Sequence, residues 1–351
     1  MTVADSYAEI HRYDGAVLHH DRRDRTVPCE LQPRDVAIVR DVWRYKFLTA
    51  TQILELWWPQ GSVAWPGQRR LRKLFDAGYL ERFRPIARRG SYPWTYHLGD
   101  AGHHLLQRAD VIPHGQRYYQ RAIYDYGHVL HELQLNAWVL ALRLNAGDAL
   151  ETWRGEEDIT PPPGTRHARL DPNDDWSVED LKDPRARLIR PDAVLELVDE
   201  HGELRTILVE YDRTKRVDKN YDKFRRYDTF LCSWWRHSSY GGQPAPPWVL
   251  FICQNAEQRE TFLAAADREL TGHRWHPSAA PERYDYVGRL QILFAVEHDA
   301  HAGRSEAWRL PAFPAGHPAR DASVRRERLT APQSSQAGSV GDGEAGTARA
   351  R

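Results

Sequence analysis

Cysteine is scarce in this chain. Cys29, Cys232 and Cys253 are odd in number, scattered and without a C-x-x-C pair. That excludes a disulfide framework and a cysteine zinc site, and it fits a reducing, cytoplasmic setting. No run of 18 apolar residues occurs, so no membrane span or membrane partner is expected. Residues 1–25 are polar and charged and lack the apolar core of a signal peptide. Excess charge is also missing: 49 Lys and Arg balance 49 Asp and Glu. No global field favours nucleic acid, and any basic surface must be local. Lysine supplies only six of the 49 basic residues, and there is a single Met. This bias reflects a GC-rich coding sequence and carries no functional weight.

What the 351 residues do contain is apolar and aromatic: 41% hydrophobic residues and 13 Trp, enough for two cores and tails. Residues 1–30 have mixed charge and no clear period, and read as an arm. Residues 31–109 read as one domain. Pro33 to Tyr45 has an apolar stripe of Val36, Ile38, Val39, Val42 and Trp43, with Pro33 suited to the first turn of a helix. Thr49 or Thr51 can cap a second helix through Trp57. After a loop from Pro59 to Gly67, a third helix from about Gln68 to Ala77 ends at Gly78. Residues 79–84 and 94–98 read as paired strands, and residues 100–109 as a short helix.

Helix, helix, helix, hairpin is the order of a winged helix-turn-helix. The third helix carries Gln68, Arg69, Arg70, Arg72 and Lys73, all expected at its surface. The hairpin carries Arg82 and Arg84, with Arg88 and Arg89 at its tip. Residues 31–109 hold 13 Lys/Arg and 6 Asp/Glu, a net of +7, against −7 for the rest of the chain. Basic charge is thus concentrated where such a fold meets double-stranded DNA. Phosphates there supply affinity, and a helix in the major groove reads base edges.

Residues 110–121 read as a linker and 122–313 as an α/β domain. Its first element is a strongly apolar helix, from Ala122 to Leu144. That helix carries His128, His131 and Glu132. The order H-x-x-H-E is not that of a zinc protease, and no His or Cys cluster elsewhere completes a zinc site, so the histidines read as structural. A strand is expected over 151–159 and an insertion loop over 161–184. A hairpin follows, with strands Ala193 to Val198 and Thr206 to Tyr211 around a turn that contains Gly202. A helix from about Asp218 to Phe230 carries Tyr221, Phe224 and Tyr227 at helical spacing. Trp248 to Cys253 is the continuous apolar run of a buried central strand. A helix over 257–270 and a strand over 290–296 complete a mixed sheet. Residues 314–351 have few large apolar side chains and are expected to be disordered.

Asp192 and Glu210 flank the hairpin, with Asp212 two residues further on. In a twisted hairpin these ends are neighbours, and alternation puts Glu210 and Asp212 on one face. Carboxylates clustered this way suit Mg²⁺, which keeps several waters. Pro191-Asp192, a turn, then Glu210-Tyr211-Asp212 resembles the PD-(D/E)XK nuclease superfamily. The resemblance implies a restriction-endonuclease-like fold. It also implies a metal set of Asp192, Glu210 and Asp212, and a catalytic set of Glu132, Asp192, Glu210 and a lysine. Asp212 stands where that lysine normally falls. Lys215, Lys219 or Lys223 must then supply the charge from the next segment. Lys223 is favoured because Tyr227 shares its helical face, as in a K-x-x-x-Y variant of the superfamily's Q-x-x-x-Y motif.

The basic winged helix, H-E-L on a long helix, R-P-D-A-V-L-E-L, I-L-V-E-Y-D-R-T and the K-x-x-x-Y helix together resemble the replication-relaxation family over about residues 33–300. The resemblance implies a DNA-binding protein that controls replication or maintenance of a plasmid or mobile element. Replication or mobilisation proteins are its candidate partners, and a dimer is compatible with the pattern. Because the family shares the Asp at the nuclease lysine position, the resemblance favours binding over catalysis. A Mg²⁺-dependent nuclease is the alternative.

Overall fold

The computed structural model describes residues 18–23, 26–58, 64–86, 92–118, 126–156, 159–160, 188–199, 201–212, 218–270, 288–311 and 326–329. The wing-tip pair Arg88 and Arg89, Lys215, the expected insertion loop 161–184 and most of the expected tail lie outside the described residues.

Among the described residues the N-terminal part is four helices and a small antiparallel sheet. Helix α1 (Pro33–Arg44) opens on a proline, where a missing N–H costs nothing. Ile38, Val39 and Val42 form its buried stripe. Strand β2 (Leu48–Thr49) runs straight into α2 (Ala50–Trp57). Thr49 is the cap: its hydroxyl accepts from the Gln52 N–H at 3.1 Å, and the Gln52 side chain accepts from the Thr49 N–H at 2.9 Å. Helix α3 spans Ala64–Asp76. It begins four residues before the expected start because Pro66 fits a first turn and does not end a helix there. Gly78, at φ 82°, makes the turn into β3 (Leu80–Pro85). Strand β4 (Thr95–Leu98) pairs with β3 and β2, and helix α4 (Asp100–Arg108) follows. The arm supplies an unexpected strand, β1 (Leu18–His20), on the free edge of β3. The sheet order is β1-β3-β4-β2.

Helix α5 (Tyr126–Ala146) joins this part to the second sheet. It is apolar nearly all round, and such a helix must be buried on several sides. Val129, Leu133 and Ala137 pack against Phe47 and Phe83, whereas Leu135, Trp138, Val139 and Leu142 belong to the main core. The Asn136 side chain donates to the carbonyls of Tyr45 (2.8 Å) and Phe47 (2.7 Å), tying the turn after α1 to α5. One apolar cluster therefore runs from Ile38 and Phe75 through α5 to Leu250 in the second sheet. Each fully buried large side chain in it contributes roughly 1.5–3 kcal/mol.

The second sheet has seven strands among the described residues: β5 (Leu150–Gly155), β6 (Ala193–Val198), β7 (Leu204–Tyr211), β8 (Trp248–Cys253), β9 (Ile292–Val296), β10 (Glu306–Arg309) and β11 (Arg326–Arg328). Their order is β11-β10-β9-β8-β7-β6-β5. β7, β8 and β9 are mutually parallel, and the other neighbours are antiparallel. Every residue of β8 is buried, as its continuous apolar run requires. Its Leu250 and Ile252 face the α5 side, while Val249 and Phe251 face helix α6 (Asp218–Thr229) and helix α7 (Ala256–Glu269). β10 and β11 are absent from the sequence-based expectation. β11 lies inside the segment expected to be disordered, where Leu329 is buried and its N–H donates to the Ser305 carbonyl at 2.7 Å. Among the described residues no helix is long and apolar enough to cross a membrane.

Candidate functional site

Two places concentrate chemistry. The first is the end of the β6–β7 hairpin. The ladder pairs Ala193 with Val209, which sets Asp192 beside Glu210. The Asp192 N–H donates to the Val209 carbonyl at 2.8 Å, and Asp192 Oδ2 accepts from the Tyr211 N–H at 2.7 Å. The side chain thus continues the ladder where the backbone leaves it. Glu210 is 2% exposed and points toward α6. Its Oε1 accepts from the Tyr227 hydroxyl at 2.6 Å, and its Oε2 is ion-paired to Lys223. Lys223 and Tyr227 are four residues apart, one helical turn, so a single face of α6 engages both carboxylate oxygens. Asp212 is 8% exposed and lies on the Glu210 side of the strand by alternation.

The electrostatics follow from this packing. Burial pushes the Asp192 carboxyl up to about 6; Lys223 and the Tyr211 N–H oppose the rise, and the charges of Glu132 and Glu156 add to it. Burial also raises Glu210, again against Lys223. For Lys223, burial disfavours the ammonium, but Glu210 and Asp192 outweigh it and the pKa rises. The ammonium also feels Asp212. One lysine therefore serves three carboxylates.

On the opposite side, Glu132 of α5 accepts from Lys46 at 2.7 Å, and Lys46 also stands 3.8 Å from Glu156. Arg190 approaches Glu156 at 3.5 Å. His131 Nε2 donates to the Tyr211 carbonyl at 3.0 Å and lies 3.8 Å from Asp192. The histidine is thus a structural donor beside the acids. His128 is exposed and 3.9 Å from Glu132. Lys46 is the site residue that the sequence reading missed. It sits at φ 60°, uncommon for a non-glycine residue, in the turn whose flanking carbonyls Asn136 holds. The available signal was its rarity, since only six lysines occur in the chain and two of them face this acidic end.

Asp192, Glu210, Lys223 and Tyr227 are thus brought together, with Glu132 across from them. Both Glu210 oxygens are engaged, and one Asp192 oxygen holds a backbone N–H. Among the described residues no three His, Cys, Asp or Glu side chains surround one point as a metal ion needs.

The second place is the outer face of α3. Trp65, Gln68, Arg69, Arg72 and Lys73 are exposed at i, i+3, i+4, i+7 and i+8, one continuous stripe. Arg69 lies over Trp65, 4.8 Å from the ring centre. Arg72 bonds Asp76 at 2.8 Å and stays half exposed. Two expected members of this surface are turned inward. Arg70 is ion-paired to the fully buried Asp35 and donates to the Glu30 carbonyl at 2.6 Å. Arg82 is 6% exposed, sandwiched between Phe75 (4.4 Å) and Trp94 (4.3 Å), and paired with Asp21. A guanidinium with a carboxylate at hand satisfies that charge first. Arg84 lies over Trp94 at 4.4 Å.

No curated protein and no solved structure matches the chain. A family model described as replication-relaxation matches residues 39–244, from within α1 to the segment before β8. That span takes in the outer face of α3, the β6–β7 hairpin and the Lys223–Tyr227 helix, and with more than half of its length so matched, the chain belongs to the replication-relaxation family.

Proposed function

We propose that this is a DNA-binding protein acting in replication or relaxation of a plasmid or other mobile element. Its N-terminal part is read as a winged helix-turn-helix that seats α3 on duplex DNA. The observation that carries this reading is the α3 stripe. Gln68, Arg69 and Lys73 are exposed and form no hydrogen bond or ion pair with another described residue, in a chain whose other arginines are so often paired. Unpaired cations on one helical face are a phosphate-binding footprint. Arg84 extends it along β3, and the expected wing-tip pair Arg88 and Arg89 lies outside the described residues. Arg70 and Arg82 are left out of the contact set, because each is held by an internal carboxylate. The test is a gel-shift titration of the full chain against duplex DNA at several salt concentrations. Salt-sensitive binding supports the reading, and its absence at low salt rejects it.

A second reading, strand cleavage, is favoured by the constellation of Asp192, Glu210, Lys223 and Tyr227 with Glu132 opposite. In a restriction-endonuclease-like fold Asp192 and Glu210 stand at the positions of the acids, and Lys223 substitutes from the next helix for the lysine that Asp212 replaces. Against it stand the engagement of both Glu210 oxygens by Lys223 and Tyr227, with which a cation would have to compete, and the Asp at the usual lysine position. Incubation of supercoiled plasmid with the protein, with and without Mg²⁺ or Mn²⁺, decides the matter. Relaxation that Asp192→Ala and Glu210→Ala both abolish makes cleavage the primary activity.

A further inference from the structure

The stripe on α3 contains an aromatic that the core does not use. Trp65 is 66% exposed, whereas Trp138 and Trp234 are fully buried. A single ring left in water is ordinary on a protein surface; what marks Trp65 is the cation on its face. Four residues on, Arg69 lies over that ring at 4.8 Å. Of the three α3 arginines, Arg70 is held by Asp35 and Arg72 by Asp76. Arg69 alone has no hydrogen bond or ion pair to another described residue. Its guanidinium is positioned by a ring face, which occupies none of its N–H donors.

We propose that Trp65 and Arg69 form a base-reading pair: Trp65 holds the guanidinium flat, and Arg69 uses its free edge to read a guanine in the major groove. This rests on the DNA-binding reading above. The chemistry fits guanine because O6 and N7 are two acceptors side by side, matched by a planar two-donor edge. A lysine at the same place would keep the charge and lose the fork. Arg72, anchored at Nε by Asp76, and Lys73, a point charge, are left to phosphates. Gln68, one turn from Trp65, flanks the reader on the same stripe.

The experiment selects bound duplexes from a random pool with the full chain, then replaces guanines of the preferred site by 7-deazaguanine. That removes the N7 acceptor and leaves base pairing intact. For the wild type, one such replacement should weaken binding on the order of tenfold, within the range of a bidentate base contact. Arg69→Lys should bind with the same salt dependence and lose the 7-deaza effect. Trp65→Ala should keep the salt dependence and lose most of the preference; circular dichroism checks that it folds, as an exposed residue allows. An equal 7-deaza effect in wild type and Arg69→Lys overturns the proposal, as does full guanine preference in Trp65→Ala. Salt-dependent binding without any guanine preference overturns this pair alone. No duplex binding at all overturns the DNA reading with it.

Discussion

The outer face of α3 and the end of the β6–β7 hairpin are both charged, but they treat charge in opposite ways. On α3, Gln68, Arg69 and Lys73 reach into solvent without a hydrogen bond or ion pair to another described residue. At the hairpin end, Glu210 has both oxygens engaged and Lys223 feels three acids. Charges kept in water are cheap for the fold and ready for an outside ligand. Charges taken out of water must be matched on the spot, or the fold loses stability. The first region is the surface we propose for binding. The second is a set of groups whose protonation is coupled to folding.

The largest effect should come from unmatching the second region. Lys223→Met leaves the Glu210 charge buried against the α6 side without its cation, and should cost about 3–5 kcal/mol in urea unfolding at neutral pH. Adding Glu210→Gln should restore a large part. If the single substitution is neutral, the hairpin end is not the tight ionic unit described.

Within α3 itself, adjacent arginines should behave oppositely. Arg70→Ala strands the fully buried Asp35 and should cost about 2–3 kcal/mol, with DNA affinity altered only through stability. Arg69→Ala should stay within about 0.5 kcal/mol of wild type in stability and weaken DNA binding. Thermal melts paired with anisotropy titrations separate the two, and similar profiles for both variants would erase the distinction.

A smaller effect concerns pH. Asp192 has its folded pKa raised to about 6 by burial, so the native state holds a proton that the unfolded chain releases near pH 4. Its contribution is present below about pH 4 and is lost as pH rises through about 6. From this group alone, stability should fall by roughly 2–3 kcal/mol across that window. Glu210, raised in the same direction, adds to the slope. Asp192→Asn keeps an acceptor for the Tyr211 N–H and should flatten the slope measured by denaturation at pH 4, 5, 6 and 7. An unchanged slope would contradict the assignment.

Local patterns were legible in the sequence. The apolar stripe of α1, the Thr49 cap and the continuous apolar β8 each follow from one stretch of chain, and each is where the periodicity put it. The four-residue spacing of Lys223 and Tyr227 likewise foretold a shared helical face. What failed depended on distant partners. β1 and β11 are three-residue strands with no pattern of their own, formed only because an edge was available. Arg70 and Arg82 read as surface because Asp35 and Asp21 are far off in sequence. Lys46 reaches Glu132 across 86 positions from a left-handed turn that no propensity marks. The start of α3 failed for a different reason: Pro66 reads as a loop residue, although a proline is tolerated in a helix's first turn.

The most direct test of the central claim is the salt dependence of duplex binding by the full chain, wild type against an Arg69→Ala/Arg72→Ala/Lys73→Ala triple variant, read by fluorescence anisotropy. For every phosphate that a removed side chain had neutralised, the slope of log affinity against log salt should become shallower by about 0.9. The account predicts a steep wild-type slope, a clearly shallower one in the triple variant, and unchanged melting temperatures. Equal slopes and equal affinities in the two proteins would contradict it.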